Sequence, residues 1–357
     1  MRKHSFFKSI FILLGMFVPL FPLFAERLGD WEFHLSKDKT YIIMDKYYGA
    51  GGEVVIPGSN KEGLPVKEMD RRLFIDCKDN ITKITVPGSI SVVPQSAFGN
   101  YKNLQTVILN NGITTIEPYA FARSEKLTEI TIPQSVTSIG INAFEHCLKL
   151  KKVAVLANIS TLKEQTFYEC KELESVTLPT SLKSIEKNAF GYCSVLKSII
   201  IPPSVTYIGE YAFSDTGITE IEIPVGVKEI GISAFQGCKS LKEITIAGSV
   251  SVIPERVVLH TSALETVTLG SGIDVIDMYA FHFGNFKTII IPPTVTAINY
   301  EAFAHSNLVS ITIPPSVKHI SPSAFDGCSD KLVLSVSKDS FAEEYAKDFK
   351  FKYVYTE

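Results

Sequence analysis

Residues 127–150 read Leu127-Thr128-Glu129-Ile130-Thr131-Ile132-Pro133-Gln134-Ser135-Val136-Thr137-Ser138-Ile139-Gly140-Ile141-Asn142-Ala143-Phe144-Glu145-His146-Cys147-Leu148-Lys149-Leu150. Ile130-Thr131-Ile132 alternates inward and outward with β-favouring side chains, the pattern of a short half-buried strand. Pro133 follows, where a missing N–H ends the ladder and turns the chain. Val136 and Ile139, three apart, supply a second apolar wall. Gly140 precedes the Ala143-Phe144 pair, and elsewhere a proline takes the next position, as in Glu117-Pro118 and Ser321-Pro322. That order predicts an N-cap with a first-turn proline, and so a short helical or 3₁₀ turn over the Ala-Phe segment.

The same order recurs along the chain. Its phase residues are Phe74, Phe98, Phe121, Phe144, Phe167, Phe190, Phe213, Phe235, Val258, Phe281, Phe303 and Phe325, and after a first step of 24 every interval is 22 or 23 residues. The strand returns as Val176-Thr177-Leu178, Ile199-Ile200-Ile201, Ile244-Thr245-Ile246 and Ile311-Thr312-Ile313, and its closing proline as Pro179, Pro202, Pro224, Pro292 and Pro314. The 22-residue units lose their residue after the phase aromatic: Phe190 reaches Leu196 in six positions, but Phe213 reaches Ile218 in five. A deletion confined to one segment marks it as an exposed loop.

One unit buries too little to fold alone. Five or six inward side chains give on the order of 10 kcal/mol at about 2 kcal/mol each, against roughly 1 to 2 kcal/mol of backbone entropy for every ordered residue. Stability must come from neighbouring coils, so the sequence predicts a repeat solenoid, mainly β with short helical turns, of about 11 to 12 coils spaced about 4.8 Å apart. Both ends of such a stack need closing. Residues 26–53 leave the repeat and read as a hairpin-like N-terminal cap around Trp31, Phe33, Tyr41, Tyr47 and Tyr48; residues 54–330 form the solenoid. Residues 331–357 read as a strand, helix and strand: Ser340 and Glu343 make a capping box, and Phe341, Tyr345 and Phe349 share a helical face.

The chain has 357 residues and a formal charge of −3. Without Arg2, Lys3 and Lys8, 32 of its 35 basic residues face 38 acidic ones, a charge of −6, which argues against nucleic acid as a partner. Residues 1–25 run from a basic start through an apolar stretch to Leu23-Phe24-Ala25 and read as a cleaved secretory signal peptide. Pro19 and Pro22, and an apolar run short of the roughly 20 residues that span a bilayer, disfavour an anchor. The expected product is secreted, periplasmic or on the cell surface, with no membrane span after cleavage.

The unit Leu-x-x-Ile-x-Ile-Pro-x-Ser-Val-x-x-Ile-Gly-x-x-Ala-Phe-x-x-Cys resembles the treponemal-type leucine-rich repeat of BspA-like bacterial surface antigens, over residues 54 to 330. The resemblance implies a right-handed leucine-rich-repeat stack, exposure outside the cell, and adhesion to host matrix proteins or other cells. It brings no catalytic residues. Three units depart from it: Leu156-Ala157-Asn158 and Ala247-Gly248-Ser249 lack the strand-ending proline, and Val257-Val258 replaces Ala-Phe. The coil around Val258 is expected to be the loosest, or a bend.

Catalytic and metal-binding patterns are missing. The cysteines Cys77, Cys147, Cys170, Cys193, Cys238 and Cys328 all lie three residues after a phase aromatic, and only Cys147, Cys170 and Cys193 occupy adjacent coils, so buried free thiols are favoured over disulfides. The seven histidines read as scattered over distant coils without metal-ligand spacing. No cofactor and no enzyme activity are expected. What remains is surface: the outward strand positions Ile108, Thr131, Thr177, Ile200, Glu222, Thr245, Ile290 and Thr312 are the candidate ligand-binding row, for a protein or a glycan. Tyr119, Tyr211, Tyr279 and Tyr300 form a second possible aromatic row. Two alternatives stand beside this reading: a structural spacer or envelope component without a dedicated ligand, and a hydrolase with a site assembled between coils.

Overall fold

Alternation of apolar and polar residues fixes which strand faces the core, and the constant repeat length fixes which strands become neighbours. In the computed structural model, which describes residues 26–247 and 249–356, Glu129–Ile132 pairs in parallel with Lys152–Val155, placing Ile130 beside Val153 and Thr131 beside Ala154. Ile130 and Ile132 are buried while Thr131 is exposed, as the alternation requires. A second wall is made of two-residue parallel strands, such as Thr115–Ile116 beside Ser138–Ile139. The molecule is a solenoid of stacked parallel sheets.

The third wall, which carries the phase aromatics, is not helical. Among the described residues the one 3₁₀ segment is Lys78–Asn80 and the one α-helix is Phe341–Asp348. The Ala-Phe segment is a run of tight turns. The N–H of Ala120 donates to Glu117 O at 3.3 Å and that of Ser124 to Phe121 O at 3.1 Å, with Tyr119 and Arg123 held at φ of +59° and +60°. Alternate amides point along the stack: Tyr119, Phe121 and Arg123 donate to Ile141, Ala143 and Glu145 of the next coil at 3.1, 2.8 and 2.7 Å. A helix would fold these donors back onto its own carbonyls and leave the neighbouring coil unpaired. Pro118 therefore occupies the second residue of a turn, not a helix N-terminus. Gly140 is not an N-cap either: its N–H donates to Ile116 O at 2.7 Å, and a Cβ there would lie 2.3 Å from Pro118 N.

Inside, the phase residues share one column. Phe121, Phe144 and Phe167 are fully buried, with ring centroids 5.1 and 5.4 Å apart and planes 1° and 14° from parallel. The stack continues to Phe235, loses its ring at Val258, and resumes from Phe281 to Phe325. The coil of Val258 keeps its register, but its amide reaches Ala280 O at 3.3 Å, where the corresponding bonds of Phe235 and Phe281 measure 2.9 and 2.8 Å.

All six cysteines are free thiols. Their position three residues after the phase residue has a physical reason. Cys147, Cys170 and Cys193 each donate an S–H to the phenylalanine carbonyl of the preceding coil at 3.2 Å, and Ser124 does the same to Phe98 O at 2.6 Å. The site asks for a small donor, which cysteine, serine or threonine can supply.

Both ends are closed. Glu26–Leu28, Trp31–Leu35 and Ile42–Tyr47 form an antiparallel sheet, and Val66–Met69 joins its edge, so the N-terminal sheet draws in chain beyond position 53. Trp31 and Tyr47 set their rings edge-on to Phe74 at 5.9 and 5.5 Å. At the other end Val333–Val336 and Lys352–Tyr355 extend the last sheet on either side of the helix in sequence, and Tyr345 and Phe351 cover Phe325 at 6.1 and 5.9 Å. Ser340 Oγ accepts from Glu343 N, and Glu343 Oε2 accepts from Asp339 N. No helix of the described residues is long and apolar enough to cross a membrane. The signal-peptide reading of residues 1–25 lies outside the described residues.

Candidate ligand-binding face

The outward row is assembled by register. Thr85 lies beside Ile108, Ala154 beside both Thr131 and Thr177, Glu222 beside Thr245, and Ile290 beside Thr312. Ile108, Ile200 and Ile290 are 41%, 85% and 73% exposed, and Val55 and Val354, beside Thr85 and Ser335 near the two ends of the same row, are 66% and 51% exposed, so the three isoleucines are the aliphatic side chains standing in solvent within its middle. Thr131, Thr177 and Glu222 are exposed, and Thr245 and Thr312 are half-buried.

These residues line three shallow troughs. One of about 570 Å³ holds Ile108, Thr131 and Thr177; a second of about 510 Å³ holds Ile200, Glu222 and Thr245; a third of about 520 Å³ holds Ile290. Thr312 shares the row but lines none of them. The sheet itself is divided: a six-stranded ladder ends at Ser175–Thr177, a three-stranded one runs from Glu220–Ile223 to Thr266–Leu269, and a four-stranded one starts at Thr288–Ile290. Ile200 lies in the coil between the first two ladders and Ile290 on the first strand of the third. The tight-turn wall stays hydrogen-bonded across both breaks, through Phe190 N to Ala212 O and Phe281 N to Ala302 O.

Charge is unevenly placed. Glu53 and Lys83 pair across this face at 3.0 Å, and Glu129 lies beside Lys152 in register. Glu220, Glu222 and Glu243, all exposed around Ile200, make no ion pair among the described residues.

A different cluster escaped the sequence reading. His260, His282 and His305 are not scattered: they occupy three adjacent turns and pack around Phe283, with centroids 5.8, 4.2 and 5.3 Å from its ring. Their spacing of 22 and 23 residues is the coil period, and reading position modulo that period would have found them. Tyr279 and Tyr300 pack edge to face at 5.4 Å on the same wall, with Arg256 over Tyr279 at 4.9 Å. Burial pushes the His282 imidazole below its usual range, partly opposed by Glu301, whose Oε2 lies 3.2 Å from Nε2. No group of three or more ligating side chains among the described residues is placed to hold a metal ion.

Comparison with known proteins agrees with this architecture. The model of the BspA type leucine rich repeat region matches residues 61–151, 114–231 and 207–331. A leucine-rich repeat protein from Bacteroides ovatus is similar at 23% identity over 93% of this chain and 100% of that one, with a TM-score of 0.60. A leucine rich cell surface protein from Faecalibacterium prausnitzii is similar at 27% identity over 90% of this chain and 97% of that one, with a TM-score of 0.53. No curated protein matches the chain. With a repeat model covering most of its length, the chain belongs to the BspA-type leucine-rich-repeat family and is built as a repeat scaffold.

Proposed function

We propose that this scaffold works outside the cell in adhesion or recognition, binding a protein or glycan through its strand-lined face. The observation that carries the reading is the exposure of Ile108, Ile200 and Ile290 on a row where threonine would satisfy the fold at no cost in exposed apolar surface. The turn wall, hydrogen-bonded from coil to coil across the ladder breaks, fixes the spacing of those side chains before any ligand arrives, which lowers the ordering cost of binding. The description of the F. prausnitzii relative as a cell surface protein supports the location.

Arrays of matrix proteins and glycans test the reading. The wild-type chain should retain specific ligands, and a chain carrying Ile108→Asp, Ile200→Asp and Ile290→Asp should lose them while keeping its melting temperature. Equal retention by the triple variant would rule out this face. Protease treatment of intact cells, followed by detection of the chain, tests the location.

A further inference from the structure

We infer that the strand face takes an extended, basic polypeptide lying along the solenoid axis and anchored at Ile108, Ile200 and Ile290. This rests on the strand face being the binding face, and adds the ligand's class and the spacing of its anchors.

The spacing comes from the row itself. Between Ile108 and Ile200 it passes Thr131, Ala154 and Thr177; between Ile200 and Ile290 it passes Glu222, Thr245 and Thr268. Each isoleucine thus follows the last after four coils, about 19 Å at the usual strand separation of about 4.8 Å. An extended chain rises about 3.3 Å per residue, so about six residues cover that distance, and an even number brings the side chain back to the same face. Each isoleucine opens into its own trough, giving three similar docking points in line. Threonines and polar groups between them offer hydroxyls to an extended backbone.

Charge selects the sequence of that ligand. The middle trough gathers Glu220, Glu222 and Glu243 around Ile200, the most exposed of the three anchors at 85%. Lys197, three residues before Ile200, and Lys228 and Lys242, nearest in sequence to the three carboxylates, form no ion pair with them among the described residues. In the first trough Lys152 stands beside Glu129 in register, so a base accompanies the acid there. A polypeptide with lysine or arginine flanking its central apolar residue meets unpaired carboxylates there. A neutral glycan leaves those carboxylates unanswered and brings no aliphatic side chain to the isoleucines, and an acidic glycan is repelled. Three modest contacts on one rigid face add through effective concentration, so no single trough needs to bind tightly.

The test uses the full chain with isotope-labelled isoleucine methyl groups and synthetic peptides. The probe peptide carries valines about six residues apart, with lysines on the same face beside the central valine. It should shift the methyl resonances of Ile108, Ile200 and Ile290 together. It should bind about ten-fold tighter than a version with valines about four residues apart, and than one with glutamates in place of the lysines. The E220Q/E222Q/E243Q variant should weaken it about ten-fold and flatten its salt dependence. Equal binding by the misspaced or acidic peptide, a shift at one isoleucine alone, tighter binding by a helix-forming peptide with matched anchors, or no binding would each overturn the inference. Peptide failure alongside array ligands that still depend on the three isoleucines leaves the strand-face reading standing. Array ligands indifferent to the I108D/I200D/I290D variant overturn that reading itself.

Discussion

Phe190 shows what one side chain per coil does. Its ring is fully buried between those of Phe167 and Phe213, at 5.6 and 5.4 Å. The neighbouring rings are held by the pitch of their own hydrogen-bonded coils, so neither can move into a cavity left between them. Phe190→Ala is expected to cost about 3 to 5 kcal/mol, read as a lower denaturant midpoint, and an unchanged midpoint would contradict the shared column. The thiols give a second test. Burial pushes Cys147 up to about 12, Cys238 up to about 11 and Cys170 well above its usual range. At pH 8 the nucleophilic thiolate is therefore scarce at these sites as well as inaccessible. A thiol reagent should modify the half-buried Cys328 first, and should reach Cys147, Cys170, Cys193 and Cys238 no faster than the protein unfolds. Rapid labelling of those four, followed by peptide mapping, would show that the turn wall opens in the native state.

At the level of the element, the tight-turn wall carries both the pH response and the main lesson about what residues alone reveal. His282 is held neutral by burial, so its pKa in the folded chain lies below the ordinary 6.5. The unfolded chain therefore binds the proton first as pH falls: stability is complete above about 6.5 and declines as pH drops through the folded value. Glu301 favours the charged ring, while the neighbouring His305 and His260 oppose it. Melting temperature should fall between pH 7.5 and 5, and His282→Leu should flatten that slope; an unaltered slope would place the response elsewhere. The strands were legible because period-two alternation repeats in phase many times over, and the candidate row followed by taking every outward position. The turn wall was not, because most of its residues at positive φ are not glycines: Gly237 and Gly327 stand where other coils place Arg123, His146, Glu169 and Asp215. Their backbone is set by an acceptor one coil away, which no local pattern reports. The ladder breaks are equally silent: Ile199-Ile200-Ile201 is as β-branched as Ile130-Thr131-Ile132 yet forms no strand.

Across the whole molecule, stability is a sum over neighbouring coils, and the weakest terms are those at the ends, where a coil has one neighbour. The C-terminal segment replaces the missing neighbour. Tyr345 and Phe351 lie edge-on to Phe325, which is 1% exposed, and Lys352–Tyr355 continues the ladder past Val333–Val336. Glu343 fixes the helix in place: Lys347, the Tyr355 hydroxyl and the Asp339 amide hold its carboxyl down to about 2. That contribution is complete above the ordinary carboxylate range and is lost as pH falls toward 2. Ending the chain at Asp330 removes all of this and uncovers Phe325 together with the edge of Ser310–Ile313, whose alternation of buried and half-buried residues suits it to pair with another chain. The truncated protein should self-associate in light scattering at concentrations where the full chain is monodisperse. The milder Tyr345→Ala/Phe351→Ala variant should stay soluble but lose hydrogen-exchange protection first in the coils of Phe303 and Phe325. A truncated chain as monodisperse and as stable as the full one would mean that the last coil is self-sufficient and that residues 331–357 have another purpose.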